Sequence, residues 1–367
     1  MKVQSLNQQD GGIDVVWSDD SSSFFPYVWL RDNDQSDLHP HTRERTFDLT
    51  GVSIDLKPRS CALHGQVLEL QWEGKDRPSA YAAEWLHRHR PGRQRPDPAR
   101  IRPQFWGADD PIVTMHAAAC ASSSGLLELL TALKRHGLVV VEALPDEEQA
   151  GESFGDAIGF KRPSNFGSTF EVVSKPDPNN LAYTSIALPL HTDLPNQALI
   201  PGYQFLHCIA NQATGGESTF ADGFHVCDQF RAEFPAFFEI LSRVPIPFRF
   251  HDDTSDIRSR RCVIALGDDG EFEALSFNAH IADVPDLPAE QLVDFYAAYQ
   301  SLMKLIRDPR FTVRYRLNPG EMVIFDNRRV LHGRQAFDSE SGLRHLRGYY
   351  IDATEVDSRL RVLARNP

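Results

Sequence analysis

Apolar residues along this chain follow two patterns, and the change between them divides it. Residues 1 to about 95 hold short β-branched or aromatic runs with partial alternation, at 13–17, 22–30, 52–56 and 66–72, parted by Gly, Asp, Ser and Pro. Runs of this kind predict strands. Residues 79–90 carry a helix-like spacing instead. The stretch 91–103, PGRQRPDPARIRP, is rich in Pro and Arg and reads as an extended linker. It sets the expected boundary between a small β-rich domain over 1–95 and a larger domain over 96–367. The small domain's expected core is Val16, Trp17, Phe25, Trp29 and Leu70.

Beyond the linker, residues 126–137 space their leucines as a helix does and end on Gly137, a C-cap residue. A buried strand is expected over 138–144 and a helix over 147–159. From 181 the pattern turns to strands, at 181–193, 203–210 and 216–222. Helices are expected over 225–244 and 289–308, then strands over 311–320, 321–333 and 346–353. Strand groups interrupted by helices predict a mainly β fold with flanking helices, a double-sheet jelly roll.

Composition narrows the partners. The net charge of -13 argues against a nucleic-acid or anionic-membrane surface. The five cysteines are scattered, odd in number and without a CxxC pair, so neither a disulfide framework nor a zinc ribbon is suggested. No basic stretch followed by an apolar run opens the chain, and no apolar run approaches a membrane span. A cytoplasmic protein with reduced thiols is the expectation.

The candidate chemistry is split between two segments. His191 and Asp193 stand two residues apart, hence on one face of an extended strand. His332 lies far downstream, with Arg344 after it. Two imidazoles and one carboxylate can cap one face of an octahedral metal ion and leave the other face open, the donor set of non-haem Fe(II) oxygenases. An arginine beyond the second histidine can pair bidentately with a carboxylate of a chelating co-substrate. The short motif alone recurs by chance, a lone histidine at a strand end is usually structural, and a lone arginine is usually a surface ion pair. Their joint occurrence is what carries the reading.

Four longer stretches carry a resemblance: LAYTSIALPLHTDLP (181–195), PGYQFLHCIANQATGGESTFADGF (201–224), NPGEMVIFDNRRVLHGRQAF (318–337) and RHLRGYYIDATEVDSRLRVL (344–363). With WLRDN near the start, they resemble the γ-butyrobetaine hydroxylase-like branch of the taurine-dioxygenase-like Fe(II)/2-oxoglutarate-dependent dioxygenases, over nearly the whole chain. The resemblance implies a double-stranded β-helix catalytic core behind a small N-terminal domain, with Fe(II), and with 2-oxoglutarate and O2 as co-substrates. It implies His191, Asp193 and His332 as metal ligands, Arg344 on the distal carboxylate of 2-oxoglutarate, and Ser218 as a hydroxyl beside it. For the substrate it implies an aromatic cage around a trimethylammonium, from Phe166, Phe170, Tyr183 and Tyr350, with Asn180 and Asn278 toward an anionic end. Asn196, Gln197, Tyr203 and His280 are further polar candidates there, since Leu194 stands where some relatives have a tyrosine. The implied reaction is hydroxylation of a small quaternary-ammonium zwitterion, γ-butyrobetaine or a trimethylaminoalkyl phosphonate such as 2-trimethylaminoethylphosphonate, with release of succinate and CO2. A homodimer is implied as well.

One departure stands out. Relatives often hold a structural zinc in the N-terminal domain, through thiolates after WLRDN and a later histidine. Here Asp34, Ser36 and His39 occupy the thiolate positions, and Arg77 lies near the histidine's. Zinc in closed structural sites prefers thiolate and imidazole, so loss of that site is expected, with His39 and His41 at the surface. Two other readings of the triad remain: a non-catalytic jelly-roll protein that binds a metal or small ligand, and a zinc hydrolase acting through metal-bound water. Neither needs Arg344.

Overall fold

A computed structural model describes residues 1–145, 147, 149–174 and 181–365. The chain forms two compact units, Met1–Asp97 and Pro98–Pro367.

In the first unit, period-two alternation builds two three-stranded antiparallel sheets. One is Val3–Gln9, Gly12–Trp17 and Ser22–Pro26; the other is Ser60–His64, Val67–Gln71 and Ser79–Ala82. Their buried faces share one core that includes Ile13, Val15, Trp17, Phe25, Leu68 and Leu70. Trp17, Phe25 and Leu70 are buried as expected, but Val16 is not part of this core. Alternation puts residues 13, 15 and 17 inward, so Val16 faces the other way, and Trp29 is half-buried. Three other expectations are corrected. The run 22–30 is a strand only to Pro26, after which Tyr27–Asp32 is helical; the proline has no N–H to extend the ladder and stands at the helix N-cap. The run 52–56 forms no strand, and Ile54 is exposed. The expected helix at 79–90 is the strand Ser79–Ala82 followed by the short helix Ala83–Arg88.

The second unit is the expected mainly β fold with flanking helices. Its larger sheet orders Val113–His116, Leu138–Glu142, Met322–Asp326, Tyr203–Asn211, Arg344–Ile351 and Phe170–Val172. Only the first pair is parallel. The smaller sheet orders Leu188–His191, Val330–Arg334, Ser218–Asp222 and Thr312–Tyr315, all antiparallel. Alternation along Tyr203–Asn211 explains the layering. Tyr203 and Phe205 enter a core that also contains Leu129, Leu133, Val356 and Leu360, from the helices Ser123–His136 and Ala353–Arg365. Leu206 and Cys208 face the other way, into a core shared with Phe220 and Val330 of the smaller sheet. The smaller sheet's outer face, through Ala221 and Leu331, packs on the helices Gly223–Glu233, Pro235–Arg243 and Ala289–Ile306. Gly137 caps Ser123–His136 in the left-handed region, at φ 74°, as its residue type predicts.

The expected strand over 181–193 is paired only at Leu188–His191. The carbonyls of Ala182, Thr184 and Ile186 accept instead from the Arg334 guanidinium, at 3.2, 2.6 and 2.9 Å. Also unforeseen was the hairpin Ile246–His251 with Asp256–Arg261. Its alternating Ile246, Phe248 and Phe250 are the signal that marks it.

Candidate metal centre and adjoining cavity

Register brings the split constellation together. In the smaller sheet His191 pairs directly with His332, and His332 with Phe220. The two imidazoles lie side by side, 4.4 Å between centroids. Asp193 stands just past the strand's end. His191, Asp193 and His332 each offer one ligand atom, all within 4.8 Å of one another. His191 Nε2 is 3.3 Å from Asp193 Oδ1, and His332 Nε2 is 3.6 Å from Asp193 Oδ2. Ligand atoms held at right angles about 2.1 Å from a metal lie about 3 Å apart, so little movement is needed to close on one.

Local bonds aim these groups. His191 Nδ1 donates to the Pro189 carbonyl at 2.8 Å, which leaves the Nε2 lone pair for a metal. His332 is buried, and its Nδ1 has no hydrogen-bond partner among the described residues. Burial lowers the pKa of His332 and keeps its imidazole neutral. Burial opposes the charge on Asp193, but the neighbouring His332 and His191 outweigh it and hold the carboxyl well below its usual range. Burial opposes a charge on His191, but its bond to Asp193 prevails and raises its pKa, so a bound metal would take the place of that proton. Two imidazole nitrogens and one carboxylate fit a divalent ion that accepts mixed N/O ligation.

His332 is placed by a buried clamp in the turn that precedes its strand. Arg329 donates to both oxygens of Asp222, at 2.9 and 2.7 Å, and to the carbonyls of Arg135 and Gln104. Both partners are almost fully buried. Bidentate geometry fixes an arginine–carboxylate pair more tightly than a single bond would.

The triad opens into a cavity of about 370 Å³ that also exposes Arg344, Ser218, Phe166, Phe170, Tyr183, Asn278 and Tyr350. That volume lies in the usual range for small-molecule sites. Arg344 is 5 % exposed. Its Nε donates to the Gly216 carbonyl at 3.2 Å, and its ring neighbour is Phe337. Among the described residues no carboxylate pairs with it, and burial pulls its pKa down to about 10. Arg334, also at the cavity, is committed to its three carbonyls, and Arg347 is paired with Glu171. Ser218 is buried on the strand beside Arg334.

The aromatic residues form one wall. The Phe170 and Tyr350 rings are 5.3 Å apart, and Phe166 meets Phe250 edge-on at 5.5 Å. Tyr183 is buried and borders the same space. Phe250, which the sequence reading missed, is carried there by the unforeseen hairpin, with Arg249 and His251 beside it. Asn278 donates to the Thr192 carbonyl and accepts from the His280 N–H. Asn196 and His280 border the cavity as well, and Asn196 Oδ1 has no partner among the described residues.

Tyr203 and Gln197 require correction. Tyr203 is fully buried in the core under the larger sheet, because strand alternation turns it from the cavity. Its neighbour Gln204 faces the cavity instead, its Oε1 without a partner among the described residues. Gln197 turns its side chain to Arg162. Asn180 lies outside the described residues. In the N-terminal unit, His39 and His41 are exposed, and so is Arg77. Asp34 is buried and bonded to Lys75, Ser79 and Ser36, while Lys75 Nζ also reaches Asp37 Oδ1 at 3.0 Å. Lys75 and Ser79, rather than Arg77, thus face Asp34.

Among the described residues, no helix is long and apolar enough to cross a membrane. Residues 98–350 match the family described as taurine catabolism dioxygenase TauD, TfdA, and residues 4–87 match a γ-butyrobetaine hydroxylase-like N-terminal domain. The chain is 39% identical to a γ-butyrobetaine dioxygenase of Pseudomonas sp. (strain AK-1), covering 96% of this chain and 94% of the relative. It is 30% identical to the human γ-butyrobetaine dioxygenase, over 98% and 97%. Among solved structures, AAD-2 in complex with Mn(II) and N-oxalylglycine shares the fold at a TM-score of 0.53 and 14% identity, over 68% of this chain and 97% of that one. The jelly roll, the convergent triad and these matches together make the chain an enzyme, a dioxygenase that belongs to the taurine catabolism dioxygenase TauD, TfdA family.

Proposed function

We propose that this dioxygenase is an Fe(II)- and 2-oxoglutarate-dependent hydroxylase of a small quaternary-ammonium zwitterion, with γ-butyrobetaine as the first candidate. The observation that carries the reading is one cavity bordered at once by a His–Asp–His triad, a buried arginine with no carboxylate partner among the described residues and a wall of aromatic rings. The named activity of the two γ-butyrobetaine dioxygenases, each similar along almost its whole length, supports the substrate class.

His191, Asp193 and His332 would hold Fe(II) from one side. With iron and 2-oxoglutarate bound, dioxygen supplies the oxidising power for C–H hydroxylation, and the co-substrate leaves as succinate and CO2. Arg344 would neutralise the distal carboxylate of 2-oxoglutarate, and Ser218 would lend a hydroxyl beside it. Phe166, Phe170, Tyr183 and Tyr350, joined by Phe250, would surround the trimethylammonium, which cannot donate hydrogen bonds and is attracted by aromatic faces. Asn278, with Asn180 as a further candidate, would meet the anionic end. These contacts orient one C–H bond toward the metal and exclude water from it. A homodimer is the proposed assembly, to be checked by light scattering.

A trimethylaminoalkyl phosphonate, such as 2-trimethylaminoethylphosphonate, is the second reading. It is favoured by His251 and His280 at the cavity, because a phosphonate takes more donors than a carboxylate. The test is anaerobic loading with Fe(II) and 2-oxoglutarate, then air and a panel of betaines and aminophosphonates. Succinate formation coupled to one quaternary compound is expected. Turnover with zinc and without oxygen would instead establish a hydrolase, and tight ligand binding without turnover a binding protein.

A further inference from the structure

Asp193 is held from two sides, at its backbone and at its carboxylate. Asn327, 1 % exposed, clamps its backbone: Asn327 Oδ1 accepts from the Asp193 N–H at 2.6 Å, and Nδ2 donates to the Asp193 carbonyl at 3.0 Å. The same amide reaches the Pro201 carbonyl. The next residue, Leu194, is left-handed at φ 56°, a conformation that costs a non-glycine residue about 1 kcal/mol or more and persists only where its surroundings impose it. On the side-chain face, the Tyr350 hydroxyl donates to Asp193 Oδ2 at 2.7 Å. Tyr350 cannot easily swing away. It is 3 % exposed, sits on a central strand opposite Gln204, and packs against Phe170.

Tyr350 therefore belongs to two surfaces. Its oxygen touches the carboxylate of the metal triad, and its ring lines the wall proposed for the quaternary ammonium. We propose that Tyr350 is a positioning residue for Asp193 and that it makes metal binding and substrate binding depend on each other. This rests on reading the triad as metal ligands. A hydrogen bond to a ligating carboxylate selects one rotamer before the metal arrives, and loss of such a partner commonly weakens metal affinity 10- to 100-fold. A ligand packed on the ring holds the hydroxyl against the carboxylate, and linkage requires the metal to alter ligand affinity by the same factor.

Tyr350→Phe keeps the ring and removes only the hydroxyl. Mn(II) titrations, followed by the electron paramagnetic resonance of the free ion, would compare wild type, Tyr350→Phe and Asp193→Ala. Circular dichroism would check the fold of each. Tyr350→Phe should weaken Mn(II) binding about ten-fold or more. Saturating γ-butyrobetaine should change the wild-type Mn(II) affinity by about five-fold or more and leave that of Tyr350→Phe unmoved. Wild-type Mn(II) affinity in Tyr350→Phe, or the same γ-butyrobetaine effect in both proteins, overturns the inference. Undiminished Mn(II) binding by Asp193→Ala would instead remove the triad and the proposed function with it.

Discussion

Replacing Arg344 by methionine should move stability and co-substrate affinity in opposite directions. Without a ligand, Arg344 is a buried guanidinium that meets the Gly216 carbonyl and the Phe337 ring. Burial lowers its pKa from 12.5 to about 10, which corresponds to about 3 kcal/mol against the charged form in the fold. Methionine retains the apolar stem and discards the charge. Replacing buried charge by well-packed apolar atoms is neutral or stabilising by about 1–4 kcal/mol. The ligand-free variant should then melt at or above the wild-type temperature. A base with a depressed folded pKa is destabilising throughout the range below that pKa, and the penalty is relieved only as pH rises past about 10. The gain should thus be equal at pH 6 and pH 8.

Binding 2-oxoglutarate should suffer. Losing one partner of a buried charge-assisted pair costs about 2–4 kcal/mol, or about 30- to 1000-fold in affinity. Thermal melts in Mn(II), with and without 2-oxoglutarate, read both effects. At a ligand concentration about 100 times the wild-type dissociation constant, the wild type gains about 2.7 kcal/mol. A variant weakened about 100-fold gains only about 0.4 kcal/mol under the same conditions. A full ligand-induced shift in Arg344→Met would mean that another group holds the carboxylate. A ligand-free variant melting far below wild type would mean that the charge is satisfied in the fold.

His191→Ala, Asp193→Ala and His332→Ala should each abolish turnover and stoichiometric Fe(II) binding, read by elemental analysis after desalting; full activity in any of them would remove the triad. Tyr183→Leu keeps an apolar wall but removes a π-face, and should weaken a trimethylammonium ligand by about 1–2 kcal/mol in calorimetry while 2-oxoglutarate binding stays put. An undiminished affinity would return Tyr183 to a structural role. Purified protein should hold no stoichiometric zinc in its N-terminal unit, and one tightly bound zinc per chain would reverse that reading. Burial opposes the Asp34 charge, but its bonds to Lys75, Ser79 and Ser36 prevail and lower its pKa. The stability it contributes is therefore present above its unfolded value near 3.9 and should be lost as pH falls through the lower folded value. Four tryptophans of that unit report the transition, and Lys75→Met should destabilise it by about 3 kcal/mol through the unpaired carboxylate it leaves.

The fold was legible where period and punctuation agreed. Leucine spacing with a terminal Gly137 marked the helix Ser123–His136, and the Val-rich run after it marked Leu138–Glu142. It was illegible where a side chain took over bonds that local pattern assigns to a strand. Residues 181–187 have the composition of a strand, yet Arg334, distant in sequence, captures their carbonyls. The run 22–30 likewise reads as one strand until Pro26 turns it. Period alone finds apolar faces; it does not say which backbone acceptor meets which donor.

The site divides along the same line. His191, Asp193, His332 and Arg344, which the fold brings to one cavity, could be named from the sequence because metal and carboxylate chemistry restricts residue type, and their spacing survives in the chain. The aromatic wall of the cavity, proposed to meet the substrate, was named only in part, since aromatic residues serve cores and cages alike. Alternation could have excluded Tyr203 in favour of Gln204, because Tyr203 and Phe205 share one face of their strand and Gln204 the other. Phe250 needed a hairpin whose place over the cavity no local pattern states. Asn327 and the hydroxyl of Tyr350 were the least accessible. An asparagine in a turn usually serves the turn, and only the folded chain brings its amide to the Asp193 backbone. The parts that perform chemistry are thus written in residue type, whereas the parts that aim them are written in contacts across the sheets. Variants designed from motifs alone would test the first group and pass over the second.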